Sequence, residues 1–539
     1  MKTFLAAILS IGVITACAQS VQRPKLIVGI VVDQMRWDFL YRYKDRYAPN
    51  GGFNRMLNGG FSCENTLIPY APTVTACGHS SIYTGSVPAI NGITGNGWFD
   101  NDLNKSVYCT EDASVQTVGG PNNEGGQMSP RNLLVTTIGD ELRLATNFKS
   151  KVIGIAIKDR GGILPAGHSA NAAYWYNSGT GDWITSTYYM TELPAWVKNF
   201  NNQKLADKYF AQGWNTLYPI NTYTQSSGDV KPYESKTLGN GFPYDLKTNI
   251  GKNYGVIPAT PFGNTLTFEL AKEALKNEGL GADAHTDLLA LSFSSPDYIG
   301  HSFGPNSIEQ EDDFLRLDKE LGEFFDLLDT RLGKGQYLAF LSADHGVAHV
   351  PGFLNENKIP AELVPTKKTL DTLNSILKQS FGRDKLVIGI INHQVQLDHR
   401  QISSAKLDEQ GIKKAVMNYL SKQPEVSRVF ETDKVMQTTL NSKIREMMVN
   451  GYYPRRSGDI QVMLQPHYIE SYGGTGTTHG SWNPYDAHIP LVWYGWKVKQ
   501  GKTNRETYMT DIAPTISAML RIQMPSGNVG HVIEELIAE

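Results

Sequence analysis

The sequence predicts an α/β protein with a doubly wound, mostly parallel central sheet and cap insertions, and three observations predict it. Several short runs are apolar on both faces, as strands covered by helices on either side must be. Helical periodicity lies between those runs. Polar residues gather just after them, where open α/β sheets collect ligands at the carboxyl ends of their strands. The runs are Leu26–Val32, Val152–Ile157, Leu288–Phe293, Tyr337–Leu341 and Ile489–Tyr494, all expected as parallel strands. One helix is expected from about Asn264 to Lys276, with Leu266, Leu270, Ala274 and Leu275 on one side. Another begins at Ser307, whose spacing to Gln310 makes a capping-box pattern, and ends near Gly333. Its Phe314, Leu317, Leu321, Phe324 and Leu328 recur at helical spacing and read as core. The intervals 166–260 and 352–475 interrupt the rhythm and are expected as insertions that cap the sheet's edge, the second with a helical patch at Leu407–Leu420.

The chain has 539 residues, 40% of them hydrophobic and 19% charged, an ordinary globular balance. A formal net charge of −3 argues against a nucleic-acid partner held by bulk electrostatics, although an anionic substrate needs only a local basic site. Residues 1–18 read as an export signal: Lys2, an apolar run from Phe4 to about Ile14, then small residues. Ala16-Cys17-Ala18 suits cleavage before Gln19, giving a periplasmic or secreted product, whereas Ile14-Thr15-Ala16-Cys17 suits a lipid anchor on Cys17. Residues 19–539 then form a single domain carrying both insertions. Outside the signal no apolar run reaches the roughly 20 residues of a transmembrane helix. Cys63, Cys77 and Cys109 allow one disulfide and leave a thiol over; the absence of a CxxC pair argues against a thiolate metal site.

Asp33 ends the first run, Asp297 and His301 follow the third, and Asp344-His345 follow the fourth. His479 stands in the Gly- and Thr-rich loop Gly473–Gly480. Singly, each reads as a turn, cap or packing residue. Together at strand ends, three aspartates and three histidines offer hard oxygen and imidazole donors for two zinc ions. Thr75, in Pro72-Thr-Val-Thr-Ala-Cys-Gly-His79, precedes a helical stretch whose free N–H groups suit a phosphate. Its hydroxyl is the expected nucleophile, against the plainer reading that Thr73 or Thr75 caps the helix. His79 reads as a packed or supporting histidine. Lys158 and Arg160, two apart after the Val152 run, are expected to face one anion from extended chain. Asn96, between Gly95 and Gly97, is expected to donate an amide hydrogen bond to a phosphoryl oxygen.

These motifs resemble the alkaline phosphatase superfamily, and specifically the PafA-type phosphate-irrepressible alkaline phosphatases of flavobacteria. The resemblance is carried by Val31-Val-Asp33-Gln-Met-Arg-Trp37, Pro72-Thr-Val-Thr75-Ala, Gly95-Asn96 and Leu164-Pro-Ala-Gly-His168. Asp297-Tyr-Ile-Gly-His301-x-Phe-Gly-Pro-Asn306, Ser342-Ala-Asp344-His345-Gly, Thr478-His479 and Thr510-Asp-Ile-Ala-Pro-Thr515 complete it, over essentially the whole mature chain. It implies an alkaline phosphatase-like fold and broad hydrolysis of phosphate monoesters through a phosphothreonine on Thr75. It also implies one zinc on Asp297, His301 and His479 and another on Asp33, Asp344, His345 and the Thr75 oxygen. Asn96, Lys158 and Arg160 would hold the phosphoryl group, and the protein would be a monomer; the best-known bacterial members use Ser as nucleophile and a magnesium near the zincs, but no residues here are assigned to a magnesium site. The competing expectation is a phosphodiesterase of the nucleotide pyrophosphatase type, against which the paired cations speak.

Overall fold

The computed structural model describes residues 22–470 and 474–537. The export signal and Cys17 therefore lie outside the described residues. The central sheet has ten strands. In chain order they are β1 (Leu26–Val32), β2 (Phe61–Cys63), β3 (Thr117–Val118), β4 (Val152–Ala156), β5 (Ala172–Asn177), β6 (Asp182–Ser186), β7 (Asp287–Phe293), β8 (Tyr337–Ser342), β9 (Leu491–Gly495) and β10 (Gly501–Thr503). Across the sheet they run β10-β2-β9-β8-β1-β7-β4-β5-β6-β3. Strands β8, β1, β7, β4 and β5 are mutually parallel. β1 is buried along its whole length, as its unbroken Leu-Ile-Val-Gly-Ile-Val-Val run requires. In register, Val32 lies beside Phe293, and Val31 beside both Ser292 and Ser342. The chain thus leaves β1, β7 and β8 at one level, delivering Asp33, the Asp297 turn and Asp344 to the same rim.

Five helices position the site: α1 (Thr75–Thr84), α2 (Asp159–Ala166), α3 (Phe262–Asn277), α4 (Ser295–Phe303) and α5 (Ile308–Leu332). Both helices expected from periodicity form, and Ser307 caps α5 by accepting from the Gln310 N–H at 3.1 Å. The reciprocal half of the expected box is absent, because the Ser307 N–H donates to the Gly304 carbonyl instead.

Two further expectations need correction. The last apolar run is antiparallel to β8, since a continuous hydrophobic run reports burial and carries no information on direction. The interval 166–260 contributes β5 and β6 to the sheet before it leaves as an insertion. All three cysteines are buried free thiols. The second insertion builds a four-stranded sheet of its own from Val387–Ile391, Gln394–Leu397, Val426–Glu431 and Ile460–Leu464. Helices Thr366–Phe381 and Glu409–Leu420 cover it, with Leu373, Leu386, Val395, Ile412 and Val462 in a separate core.

Candidate active site

At the rim where β1, β7 and β8 end, Asp33, Asp344 and His345 form one triad, and Asp297, His301 and His479 form another. Within each, one ligand atom per residue lies within 4.8 Å of the others. Asp33 and Asp344 leave the ends of β1 and β8 directly. Asp297 and His301 stand four apart on α4, so both side chains face the same way from one helical face. His479 arrives from the loop that follows Gly474. The triads adjoin, because the rings of His345 and His479 stack at 3.5 Å between centroids.

The histidines are set for ligation by their outer nitrogens. Nδ1 of His301, His345 and His479 lies 2.8, 2.9 and 2.8 Å from the carbonyls of Thr477, Gly346 and Thr73. A carbonyl only accepts, so each Nδ1 carries a proton, and in the neutral ring the lone pair is left at Nε2. Those Nε2 atoms face carboxylates: His301 and His479 lie 3.3 and 3.5 Å from Asp297 Oδ1, and His345 lies 3.4 Å from Asp344 Oδ2. Asp33 Oδ1, Asp344 Oδ2 and His345 Nε2 are buried with no hydrogen-bond partner. Orphaned acceptors in a dry interior are costly, and a divalent cation satisfies all three at once. The donor set therefore fits two metal ions, with oxygen and imidazole ligands appropriate to zinc.

Lys158 sits between the triads. Its Nζ lies 2.7 Å from Asp33 Oδ2, 2.5 Å from Asp297 Oδ2 and 3.4 Å from Thr75 Oγ1. Burial acts to lower its pKa, but the Asp297 and Asp33 carboxylates outweigh it and hold the ammonium above the usual lysine range. Burial opposes the charge on Asp297 too, yet His301 and Lys158 keep that carboxyl well below the ordinary range. Asp33 goes the other way: burial and the neighbouring Asp344 carboxylate push it up.

Thr75 is the first residue of α1, and neither nearby threonine caps the helix. The residue before it, Val74, is extended, and Thr73 Oγ1 donates to the Ser481 carbonyl at 2.7 Å. Asn96 does the capping from outside: its Oδ1 accepts from the Ala76 N–H at 2.9 Å, which leaves its NH2 as the end that donates. His79 supports the site, with Nδ1 2.9 Å from the Thr75 carbonyl and Nε2 2.8 Å from Ser292 Oγ.

Arg160 needs a correction in its geometry. It lies in the first turn of α2, so the extended-chain argument that pairs it with Lys158 does not apply. It is held instead by Tyr108, whose hydroxyl lies 2.9 Å from Arg160 Nη1 and donates to Asp159 Oδ1 at 2.9 Å. Thr110 fastens the other Asp159 oxygen. Tyr298, whose ring centroid lies 5.2 Å from Lys158 Nζ, forms another wall. Sequence reasoning missed Tyr108, Thr110 and Tyr298, which carry no motif. It also passed over Gln34, although that residue directly follows Asp33.

Comparison with known proteins identifies the family. Residues 27–486 match the family described as type I phosphodiesterase / nucleotide pyrophosphatase. The chain is 55% identical to the alkaline phosphatase PhoV of Synechococcus elongatus over 522 residues, covering 96% of this chain and 94% of that one. It is 50% identical to the alkaline phosphatase PafA of Elizabethkingia meningoseptica over 526 residues, covering 96% and 95%. The crystal structure of PafA superposes with a TM-score of 0.94, covering 96% of this chain and 100% of that one. The chain therefore belongs to the type I phosphodiesterase / nucleotide pyrophosphatase family of the alkaline phosphatase superfamily and, within it, to the PafA-type alkaline phosphatases, hydrolases of phosphate monoesters.

Proposed function

We propose that hydrolysis runs in two displacements through a phosphothreonine on Thr75, at a site holding two zinc ions and accepting phosphate monoesters broadly. Asp33, Asp344 and His345 would hold one ion beside the Thr75 oxygen, and Asp297, His301 and His479 the other. When bound, zinc supplies concentrated positive charge that favours deprotonation of a hydroxyl or water and polarises phosphoryl oxygens. The observation that carries the reading is Thr75 itself: a hydroxyl at a helix N-terminus, free of any capping role and linked through Lys158 Nζ to Asp33 of one triad and Asp297 of the other.

In the first displacement Thr75 Oγ1 forms the bond to phosphorus as the ester oxygen leaves with its electron pair. In the second, water attacks the phosphothreonine and phosphate departs. Lys158, Arg160 and the Asn96 amide hold the phosphoryl oxygens, and the free N–H groups opening α1 add partial positive charge. Because these groups read the phosphoryl and leave the remainder of the ester unread, a wide range of monoesters is expected. The amino-terminal signal places the enzyme in the periplasm or outside the cell, with anchorage through Cys17 as the alternative. Among the described residues no helix is long and apolar enough to cross a membrane.

A phosphodiesterase reading uses the same nucleophile and ligands. A monoester brings one more unsubstituted, charged phosphoryl oxygen, and the cations Lys158 and Arg160 favour it. Comparing an aryl phosphate with its bis-aryl analogue decides the matter. The expected result is a strong preference for the monoester that shrinks in Lys158→Ala and Arg160→Ala. Equal losses on both substrates would remove the assigned role of the two cations.

A further inference from the structure

Gln34 touches both triads. Its backbone N–H donates to Asp344 Oδ1 at 3.1 Å, and its side-chain Nε2 donates to Asp297 Oδ1 at 2.7 Å. Asp297 Oδ1 is the oxygen that faces His301 and His479, while its other oxygen is held by Lys158. Each oxygen of this carboxylate therefore has its own donor. Gln34 is fully buried and adopts a left-handed backbone, φ 66°, which L side chains take only at a steric cost. A conformation of that kind persists where the surroundings hold it in place. The space for its side chain is made by Gly300, which lies on α4 between Asp297 and His301. A Cβ on Gly300 would stand 1.9 Å from Gln34 Oε1, so no larger residue fits while Gln34 keeps its place.

We propose that Gln34 is a positioning residue: it fixes the Asp297 carboxylate for metal binding and ties that triad to the one that includes Asp344. The inference rests on the two-metal reading of the site. An isolated carboxylate rotates about its terminal torsion, and a donor on the ligating oxygen selects the orientation that offers a lone pair to the ion. Loss of such an outer partner typically weakens metal binding by about 10–100-fold.

The test uses the full-length zinc-loaded protein, titrated with a competing chromophoric chelator and counted for zinc by mass spectrometry. Gln34→Gly keeps the backbone N–H and suits the left-handed conformation, and Gln34→Met keeps the side-chain length without the donor. Both are expected to weaken one of two zinc ions by about 10–100-fold and to leave the other unchanged. Gly300→Ala, which displaces the Gln34 side chain, is expected to do the same and to add little in the Gln34→Gly background, because the two changes break one contact. In an Asp297→Asn background, Gln34→Gly is expected to leave the affinity of the remaining ion unchanged. Wild-type affinity for both ions in Gln34→Gly and Gln34→Met, or equal weakening of both, would overturn the proposal. A wild-type protein holding fewer than two zinc ions would instead overturn the two-metal reading.

Discussion

Asp33, Asp344 and His345 beneath the sheet rim and His399, Glu409 and Asp459 in the second insertion share a composition: one histidine, two carboxylates, ligand atoms within 4.8 Å. They differ in how their polar atoms are used. In the insertion, His399 Nε2 lies 2.8 Å from Asp459 Oδ1, and its Nδ1 lies 3.4 Å from Glu409 Oε2. Lys413 reaches Glu409 at 3.2 Å, and the Leu397 N–H occupies the second Asp459 oxygen. No side-chain atom of that triad is a buried orphan, whereas three are at the rim. A ring facing carboxylates through both nitrogens is favoured as an imidazolium ion-paired on two sides, a form that has no lone pair for a metal. The rim histidines spend their Nδ1 protons on carbonyls and turn only Nε2 toward carboxylates. Proximity and composition are shared by both places; the balance of donors and acceptors makes the rim the better candidate for a metal.

The comparison breaks most visibly on metal removal. A chelator is expected to abolish hydrolysis, with zinc restoring it, while the insertion keeps its fold; undiminished turnover in chelator would mean that the rim triads hold nothing essential. Thr75→Ala should lower kcat/KM on the order of a thousandfold or more while both zinc ions remain bound, measured by steady-state kinetics beside zinc analysis. The two rim triads should also differ from each other. His301 is 36% exposed, whereas Asp33, Asp344 and His345 are sealed from solvent. Zinc release followed in time should therefore be biphasic, and the fast phase should disappear in His301→Ala. The smallest effect belongs to the insertion. The hydrogen bond that His399 donates to Asp459 raises its pKa above the usual histidine range, against the opposing effect of burial. A raised folded-state pKa stabilises at pH below the unfolded value and loses that contribution as pH rises through the folded value. His399→Gln is expected to destabilise the protein by less than about 1 kcal/mol in mild acid, the pair being half-exposed, and not at all at alkaline pH. Its zinc content should not change, and a third zinc lost on that substitution would erase the distinction between the two triads.

Much of the site was legible because strand ends announce themselves. A buried strand needs an apolar run, and an aspartate just after it has left the sheet, so Asp33 and Asp344 could be expected to converge at the carboxyl ends of the strands from pattern alone. Thr75 was legible as a helix start, but only the structure shows that Asn96, not Thr73 or Thr75, accepts a free N–H of α1. The direction of β9 was hidden, because Leu491–Gly495 reads the same whichever way it runs. Arg160 was placed by the wrong geometry, since a strand pattern running into Lys158 gives no sign that the next residue opens a helix. Tyr108 and Gln34 were invisible for a deeper reason. Each acts through long-range hydrogen bonds, Tyr108 to Arg160 and Asp159 and Gln34 to Asp297 and Asp344, and no local periodicity records such partners.

The central claim is that Thr75 carries the phosphoryl group between the two displacements. Its most direct test is to quench the enzyme in acid during turnover of a monoester with a labelled phosphoryl group and to map the label by peptide sequencing. The expected result is label on the peptide containing Thr75, absent in Thr75→Ala. Label on any other residue, or its persistence in that variant, would contradict the account.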